Sequence, residues 1–356
     1  MSSQNIKSRL WDMVNENQLI PSPRHTSRHH SHHHHEDTEA SPQRQALRRT
    51  AQETIGVLSV LLNRLNSTNQ AHKSKKLSSS SVRRLHPSDC PRFPSPATVK
   101  IINDDTLNVA VGLFESARTQ RLDPSLNPRP IIINFASYRK PGGGWLNGAM
   151  AQEESICYRS SLALSLHSRD YPLALDESIY SPYVLVMRSD LASGHNLLES
   201  PTTPPEDLPV VSGITIAALY RPILRRVVLK DSQKERRGHS PHAHHSSRHC
   251  STSPSPSRRR TQEVFARDRD RKLTKSKMRQ ALRIAAFNGH GMLVLGALGC
   301  GVYANPPAEV AHCWLEVLRE TEFCGNWWRE VCFAVYDPKN EGNFATFERV
   351  LSGKKV

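Results

Sequence analysis

Between Gln43 and Leu65 the apolar residues Leu47, Ile55, Leu58, Leu62 and Leu65 recur at helical spacing, with Arg and Gln between them. That period predicts an amphipathic helix that needs a core to pack on. A Ser/Lys linker at 67–84 and a Pro-rich stretch at 87–96 follow. TVKII at 98–102 reads as a strand, and Asp104, Asp105 and Thr106 supply helix-start chemistry for a face carrying Leu107, Val111 and Phe114. PIIINFA at 130–136 is a β-branched apolar run, the mark of a strand buried on both faces. After a glycine-rich loop at 142–148, Ile156, Leu162 and Leu166 predict another helix, and segments 183–187, 210–216 and 226–229 predict strands. The pattern resumes with a helix through Met278, Leu282, Ile284 and Ala285, then a buried strand, GMLVLGAL, at 291–298. A helix from Ala308 carries Val310, Trp314, Val317 and Leu318; VCFAVY at 331–336 is a strand, and Phe344, Phe347 and Val350 close with a short helix. Strands alternating with helices argue for an α/β layered fold.

Two stretches break the pattern. The first 42 residues are read as a disordered His/Ser-rich tail, with His32–His35 in a row, and 231–275 as a disordered basic insertion containing HAHHSSRHC, SPSPSRRR and ARDRDRK. A single domain over 43–352 is expected around that insertion, because loop entropy grows only slowly with length. Imidazoles ligate zinc and nickel, but the histidine run has no partner ligands in a fixed frame, so a solvated tract is expected.

The formal net charge of +15 over 356 residues suits an anionic partner. Much of the excess lies in the Ser/Arg/His-rich segments and says little about the folded part. Seven cysteines, an odd number without a C-x-x-C pair, speak against a disulfide framework or a zinc knuckle. With no secretory leader and no apolar run approaching ~18 residues, an intracellular protein, nuclear or cytoplasmic, is expected, with no membrane contact. The clusters Arg258–Arg260 and Arg267–Lys272 would serve a nuclear address or a weak nucleic-acid contact. The latter would fall steeply with salt.

Three loops follow strands, where ligands gather in an open α/β sheet. The first runs from Asn134 through PGGGWLNGAMAQEES: Gly142, Gly143 and Gly144 let backbone N–H groups approach a ligand, and Gln152, Glu153 and Glu154 stand at a helix start. Ordinary N-terminal acids favoured by the helix dipole are the plainer reading of those carboxylates taken alone. The second is Gly299-Cys300-Gly301-Val302-Tyr303-Ala304-Asn305, a G-x-G-x-x-A match suited to a pyrophosphate. No acidic residue stands about 20 positions on to hold a nicotinamide ribose, so anion binding is retained and hydride transfer is the weaker alternative. Tyr303 is suited to stacking on a base or to a half-buried structural place. The third, at Ser212–Gly213 into ITIAALYRP, offers Arg221 as an anion contact or a plain surface residue.

GGG, seven residues, then QEE resembles the signature of poly(ADP-ribose) glycohydrolases, and its surroundings resemble the microbial-type family. AQETIGVL at 51–58, INFASYRKPGGGWLNGAMAQEESICYRSSL at 133–162, IYSPYVLVMR at 179–188 and LVLGALGCGVYANPPAEVA at 293–311 carry the likeness. The resemblance implies a three-layer α/β/α macrodomain-like fold with a central mixed sheet. It implies Glu154 as the catalytic acid, Glu153 orienting ribose hydroxyls, Gly142–Gly144 holding the diphosphate and distal ribose, and Gly299, Cys300, Gly301 and Val302 cradling the diphosphate. Tyr303 would stack near the adenine or proximal ribose, and Asn134 would touch the distal ribose. Neither metal nor cofactor is implied; the substrate would be poly(ADP-ribose) or ADP-ribosylated protein, and a monomer is expected. The chain departs from the family after Ile216, where the usual small-residue, proline-containing run is missing. A module that only reads ADP-ribose would share the diphosphate loops but lack the paired acids.

Overall fold

A computed structural model of the chain describes residues 41–119, 127–228 and 261–356. His32–His35, nearly all of the expected tail and 231–260 of the expected insertion lie outside the described residues. The order is α1 (Pro42–Arg64), α2 (Thr68–Ala71), β1 (Lys75–Ser78), β2 (Val99–Ile102), α3 (Thr106–Thr119) and β3 (Ile131–Phe135). Then come α4 (Gln152–Arg159), α5 (Leu162–Ser165), β4 (Glu177–Leu185), β5 (Val210–Ile216), β6 (Leu224–Val228) and β7 (Thr261–Phe265). The chain closes with α6 (Asp268–Phe287), β8 (Met292–Gly296), α7 (Pro307–Leu318), β9 (Glu330–Ala334) and α8 (Asn343–Leu351).

Among the described residues the main sheet has seven strands in the order β1-β4-β5-β3-β8-β9-β2. Pairings from β5 to β2 are parallel, and those of β1 with β4 and β4 with β5 antiparallel. The side-chain period of two sorts β3 between two layers. Ile131 and Ile133 join Leu293 and Leu295 against Met278, Leu282, Val310 and Trp314 of α6 and α7. Ile132 joins Val294 against Leu107, Ala110 and Ile156 of α3 and α4. This is the three-layer, mixed-sheet architecture expected from the sequence.

α1 begins at Ser41, whose hydroxyl accepts from the Arg44 N–H at 3.4 Å, with Pro42 in the first turn. Its Leu58, Leu61 and Leu62 pack with Leu185 and Met187. Asp105 caps α3 by accepting from the Leu107 N–H at 2.7 Å, as the acidic pair at its start led us to expect.

Three expectations need correction. The 67–84 linker contains α2 and the edge strand β1, paired with β4 through Lys75↔Tyr180; its Lys and Ser residues hid it because an edge strand is only half covered. The segment expected as a strand at 226–229 is β6, which forms a two-stranded ribbon with β7 and stands apart from the main sheet. The expected disorder through 275 is wrong from Thr261 onward: β7 and the first turns of α6 occupy 261–275. The charges there read as unfolded because their partners lie some forty residues on: Arg271 pairs with Glu309 and Glu316, and Lys275 with Glu316 at 3.1 Å. No helix among the described residues is long and apolar enough to cross a membrane.

Candidate active site

The first turn of α4 carries the paired acids beneath the end of β3. Gln152 fixes that placement: its carbonyl oxygen accepts from the Phe135 N–H at 2.7 Å, and its amide donates to the Ile133 carbonyl at 2.7 Å and the Thr106 hydroxyl at 3.1 Å. The side-chain amide therefore ties helix to strand.

Glu153 is buried, and both its oxygens are engaged. Oε2 accepts from the Ser137 N–H at 2.7 Å and Oε1 from the Asn134 amide at 3.3 Å. Burial pushes its pKa up to about 8, against the pull of the Ser137 N–H and with the help of the neighbouring Glu154 charge. Glu154 differs. Its Oε1 accepts from the Gly144 N–H at 2.9 Å, and Oε2 has no protein partner among the described residues.

The glycine run is built around these acids. Gly142 and Gly143 both have positive φ, +66° and +57°. A Cβ on Gly143 would stand 2.4 Å from Glu154 Oε1 and 3.1 Å from Glu153 Oε2. The far side of the loop is clamped. Tyr158 donates its hydroxyl to the carbonyls of Trp145 and Ala149 at 2.7 and 2.9 Å, and Arg44 of α1 donates to the Asn147 carbonyl at 2.8 Å.

Asn134 is fully buried on β3 and donates to Thr215 as well as to Glu153, while its Oδ1 has no partner among the described residues. Tyr303 reaches over from the second glycine loop, and its hydroxyl accepts from the Tyr138 N–H at 3.3 Å.

In that loop, Gly299 has φ +74°, and a Cβ there would meet Ala218 and Asn305 at 2.5 Å. Gly301 has nothing within 4 Å of its Cβ position, and Val302 is exposed. Among the described residues, the N–H groups of Gly301, Val302 and Tyr303 find no partner in the protein. Successive free N–H groups in a turn form an anion-binding nest. The G-x-G-x-x-A match leads one to expect such donors at a helix start, but α7 begins only at Pro307; the donors belong to the turn itself. Asn305, which the sequence reading passed over, staples that turn. Its buried amide donates to the carbonyls of Leu219 at 2.7 Å, Gly299 at 3.2 Å and Tyr303 at 3.3 Å.

A cavity of about 590 Å³ opens over the ends of β3, β8 and β9, lined among others by Phe135, Gln152, Cys300, Gly301 and Val335. Its size suits a nucleotide-sized ligand. Arg221 does not line that cavity; it is exposed at φ +46°, with its N–H on the Tyr303 carbonyl at 2.9 Å. Ser137, Tyr138 and Tyr220 also belong to the site's surroundings, and no spacing signal in the sequence marks them. Among the described residues no cluster of three His, Cys, Asp or Glu side chains is arranged to hold a metal.

The model of the microbial-type PARG catalytic domain matches residues 5–189, more than half of the chain. The poly(ADP-ribose) glycohydrolase of Thermomonospora curvata superimposes with a TM-score of 0.58 at 25% identity, covering 86% of this chain and 99% of that one. The same enzyme bound to the inhibitor ADP-HPD gives 0.57 at 25% identity over the same shares. The Deinococcus radiodurans enzyme in complex with ADP-ribose gives 0.55 at 24% identity over 80% of this chain and 95% of that one, a likeness of fold. Among curated proteins no match is found. With its paired acids set under a glycine loop and a free N–H nest one strand away, the chain belongs to the microbial-type poly(ADP-ribose) glycohydrolase family.

Proposed function

We propose that Glu154 is the general acid and base of poly(ADP-ribose) hydrolysis and that Glu153 is a neutral positioning group. The observation that carries this assignment is the asymmetry of the pair: among the described residues Glu154 keeps one oxygen without a partner, whereas both oxygens of Glu153 are bonded. Cleavage of the ribose–ribose acetal passes through an oxocarbenium-like state, and the departing 2′ oxygen needs a proton. Glu154 in its protonated form donates that proton as the C1″–O2′ bond breaks. The resulting carboxylate then takes a proton from the water that attacks C1″, releasing ADP-ribose and restoring the acid. Glu153 is unsuited to the nucleophile's role, because burial keeps it protonated near neutral pH and its oxygens are already held. As a neutral acid it can donate to a ribose hydroxyl.

ADP-ribose would lie with its diphosphate on the nest at Gly301–Tyr303 and its adenosine in the cavity beyond. Gly142–Gly144, expected to touch ligand directly, are better read as the bed of the acids. The wild type should release free ADP-ribose from poly(ADP-ribose). Glu154→Gln, which keeps the carbonyl that accepts from Gly144, should lose about 10²- to 10⁴-fold in turnover, while ADP-ribose affinity stays within about tenfold. Near wild-type turnover by Glu154→Gln would sink the assignment. A wild type that binds ADP-ribose but releases nothing from polymer would make the chain a reader instead.

A further inference from the structure

Strand order gives the site two flanks. β3, which carries Asn134 and leads to the acids, lies between β5 on one side and β8 and β9 on the other. The nest and the large cavity occupy the β8–β9 flank. The β5 flank carries a second cavity of about 360 Å³ that shares no lining residue with the first. Tyr138, Tyr220, Arg221, Arg267 and Lys277 line it, with Asp270 as the carboxylate among those walls.

The two flanks meet at a row of aromatic rings. Tyr220 touches Tyr303 edge-on at 5.2 Å between centroids and stands 6.4 Å from Tyr138. Tyr220 is 53% exposed. The Arg139 guanidinium sits 5.3 Å from the centre of the Tyr138 ring and that of Arg221 5.5 Å from Tyr220. Deeper in the cavity, Lys277 is buried and donates to the Leu175 carbonyl. An exposed ring beside half-buried ones, flanked by guanidinium groups, over a pocket where three cations outnumber one carboxylate, is the chemistry that holds a base together with its phosphates.

We infer that this ledge is a subsite for the leaving nucleotide of the substrate. The adenosine whose 2′ oxygen departs would stack on Tyr220, with Tyr138, tilted 54° to that ring, at its edge, and its phosphates would be met by Arg221, Arg267 and Lys277. The inference rests on the glycohydrolase reading, since the scissile bond must sit over the acids between the two flanks. It assigns the chain a preference for linked ADP-ribose units over ADP-ribose carrying a small leaving group.

Three variants test it: Tyr220→Ala, its control Tyr220→Phe, and Arg221→Asn, because Asn tolerates the positive φ at that position. The probes are ADP-ribose and a two-unit ADP-ribose dimer, with binding measured in a Glu154→Gln background so that the dimer stays intact. Wild-type loops should bind the dimer more tightly than ADP-ribose. Tyr220→Ala should weaken the dimer by about tenfold, in line with the loss of one base–aromatic contact. Tyr220→Phe should restore it, and no variant should move ADP-ribose affinity by more than about threefold. In the catalytic background, kcat/KM on polymer should fall in parallel. Equal dimer affinity in Tyr220→Ala and its parent overturns the subsite and leaves the glycohydrolase reading standing. An oligoadenylate RNA that binds as tightly as the dimer and displaces it overturns the subsite in favour of a general nucleic-acid groove. Failure of both ADP-ribose probes to bind any form overturns the glycohydrolase reading and the subsite together.

Discussion

Gly143→Ala is the substitution whose effect follows most directly from the geometry. The added methyl would stand 2.4 Å from Glu154 Oε1, a separation at which something must move, and ordinary contact begins at 3.4 Å. The carboxylate therefore retreats by about 1 Å, and misplacement on that scale costs about 10²-fold in rate. The backbone adds its own penalty: a residue with a Cβ held at φ +57° is disfavoured by about 1–2 kcal/mol. For a chain of this size that lowers Tm by about 2–8 °C, at the 2–4 °C per kcal/mol typical of large domains. The assay is release of ADP-ribose from poly(ADP-ribose), with ADP-ribose affinity followed by calorimetry. We expect kcat to fall about a hundredfold while affinity shifts less than tenfold, because the nest at Gly301–Tyr303 is untouched. Gly144→Ala is the internal comparison, since its methyl would press on the Ala149 side chain at 2.8 Å and lie 3.7 Å from Glu154. It should lose less turnover than Gly143→Ala. Turnover of Gly143→Ala within threefold of wild type would show that the loop does not set the position of the acid.

Glu153 should make stability depend on pH. Its folded pKa of about 8 lies above the ordinary 4.5, so the folded form binds the extra proton, and the stabilisation present below about pH 4.5 is lost as pH rises through 8. The direction is a fall in stability across that window, which a side chain that cannot ionise would not show. Thermal melts between pH 5 and 9 should fall more steeply for wild type than for Glu153→Gln, and parallel curves would refute the shift. Replacing 231–260 by a short Gly/Ser turn should leave turnover intact, because Val228 already pairs with Thr261 across the ribbon. Extending the deletion to 275 removes β7 and the start of α6 and should unfold the chain, as circular dichroism would report. Asn305→Ala leaves the Leu219 carbonyl without its donor and frees the 299–305 turn. An unmet buried group costs about 1–3 kcal/mol, and ADP-ribose affinity should drop about tenfold; unchanged calorimetry would mean that the turn holds its shape unaided.

The buried strands were legible because both their faces are covered. PIIINFA and GMLVLGAL are apolar without interruption, and they became β3 and β8 at the centre of the sheet. Helices with one apolar stripe were equally readable. What escaped notice was structure stabilised by distant partners. β1 is an edge strand of Lys, Leu and Ser that exists because β4 offers it a ladder. The start of α6 looks like a charged linker until Glu309, Glu316 and Glu320 of the following helix and its end are set against it. In the site the pairing of acids with glycines was visible, whereas Asn305, Ser137 and Tyr220 were not. Asn305 acts through its side-chain amide on distant carbonyls, Ser137 through its backbone N–H and Tyr220 through ring contacts, and none of these leaves a mark in spacing.

The spacing of the glycine run from the acids has a physical reason in this chain. α4 presents Glu153 and Glu154 at its first turn, and the loop must turn back far enough to lay Gly143 against both carboxylates and point the Gly144 N–H at Glu154. The seven intervening residues, Trp145 to Ala151, make that return. Trp145 and Ala149 lend their carbonyls to Tyr158, one turn along the same helix, so the loop is locked to the element that carries the acids. Gly148, at φ +75°, lets α1 approach: a Cβ there would stand 2.3 Å from the Arg44 carbonyl oxygen. A residue added to or removed from the return would break the register between Gly144 and Glu154 while leaving the Tyr158 clamp on one side of it. The motif is thus a closed ring of constraints around two carboxylates. Both are buried: one has both its oxygens engaged, and the other keeps an oxygen without a partner among the described residues.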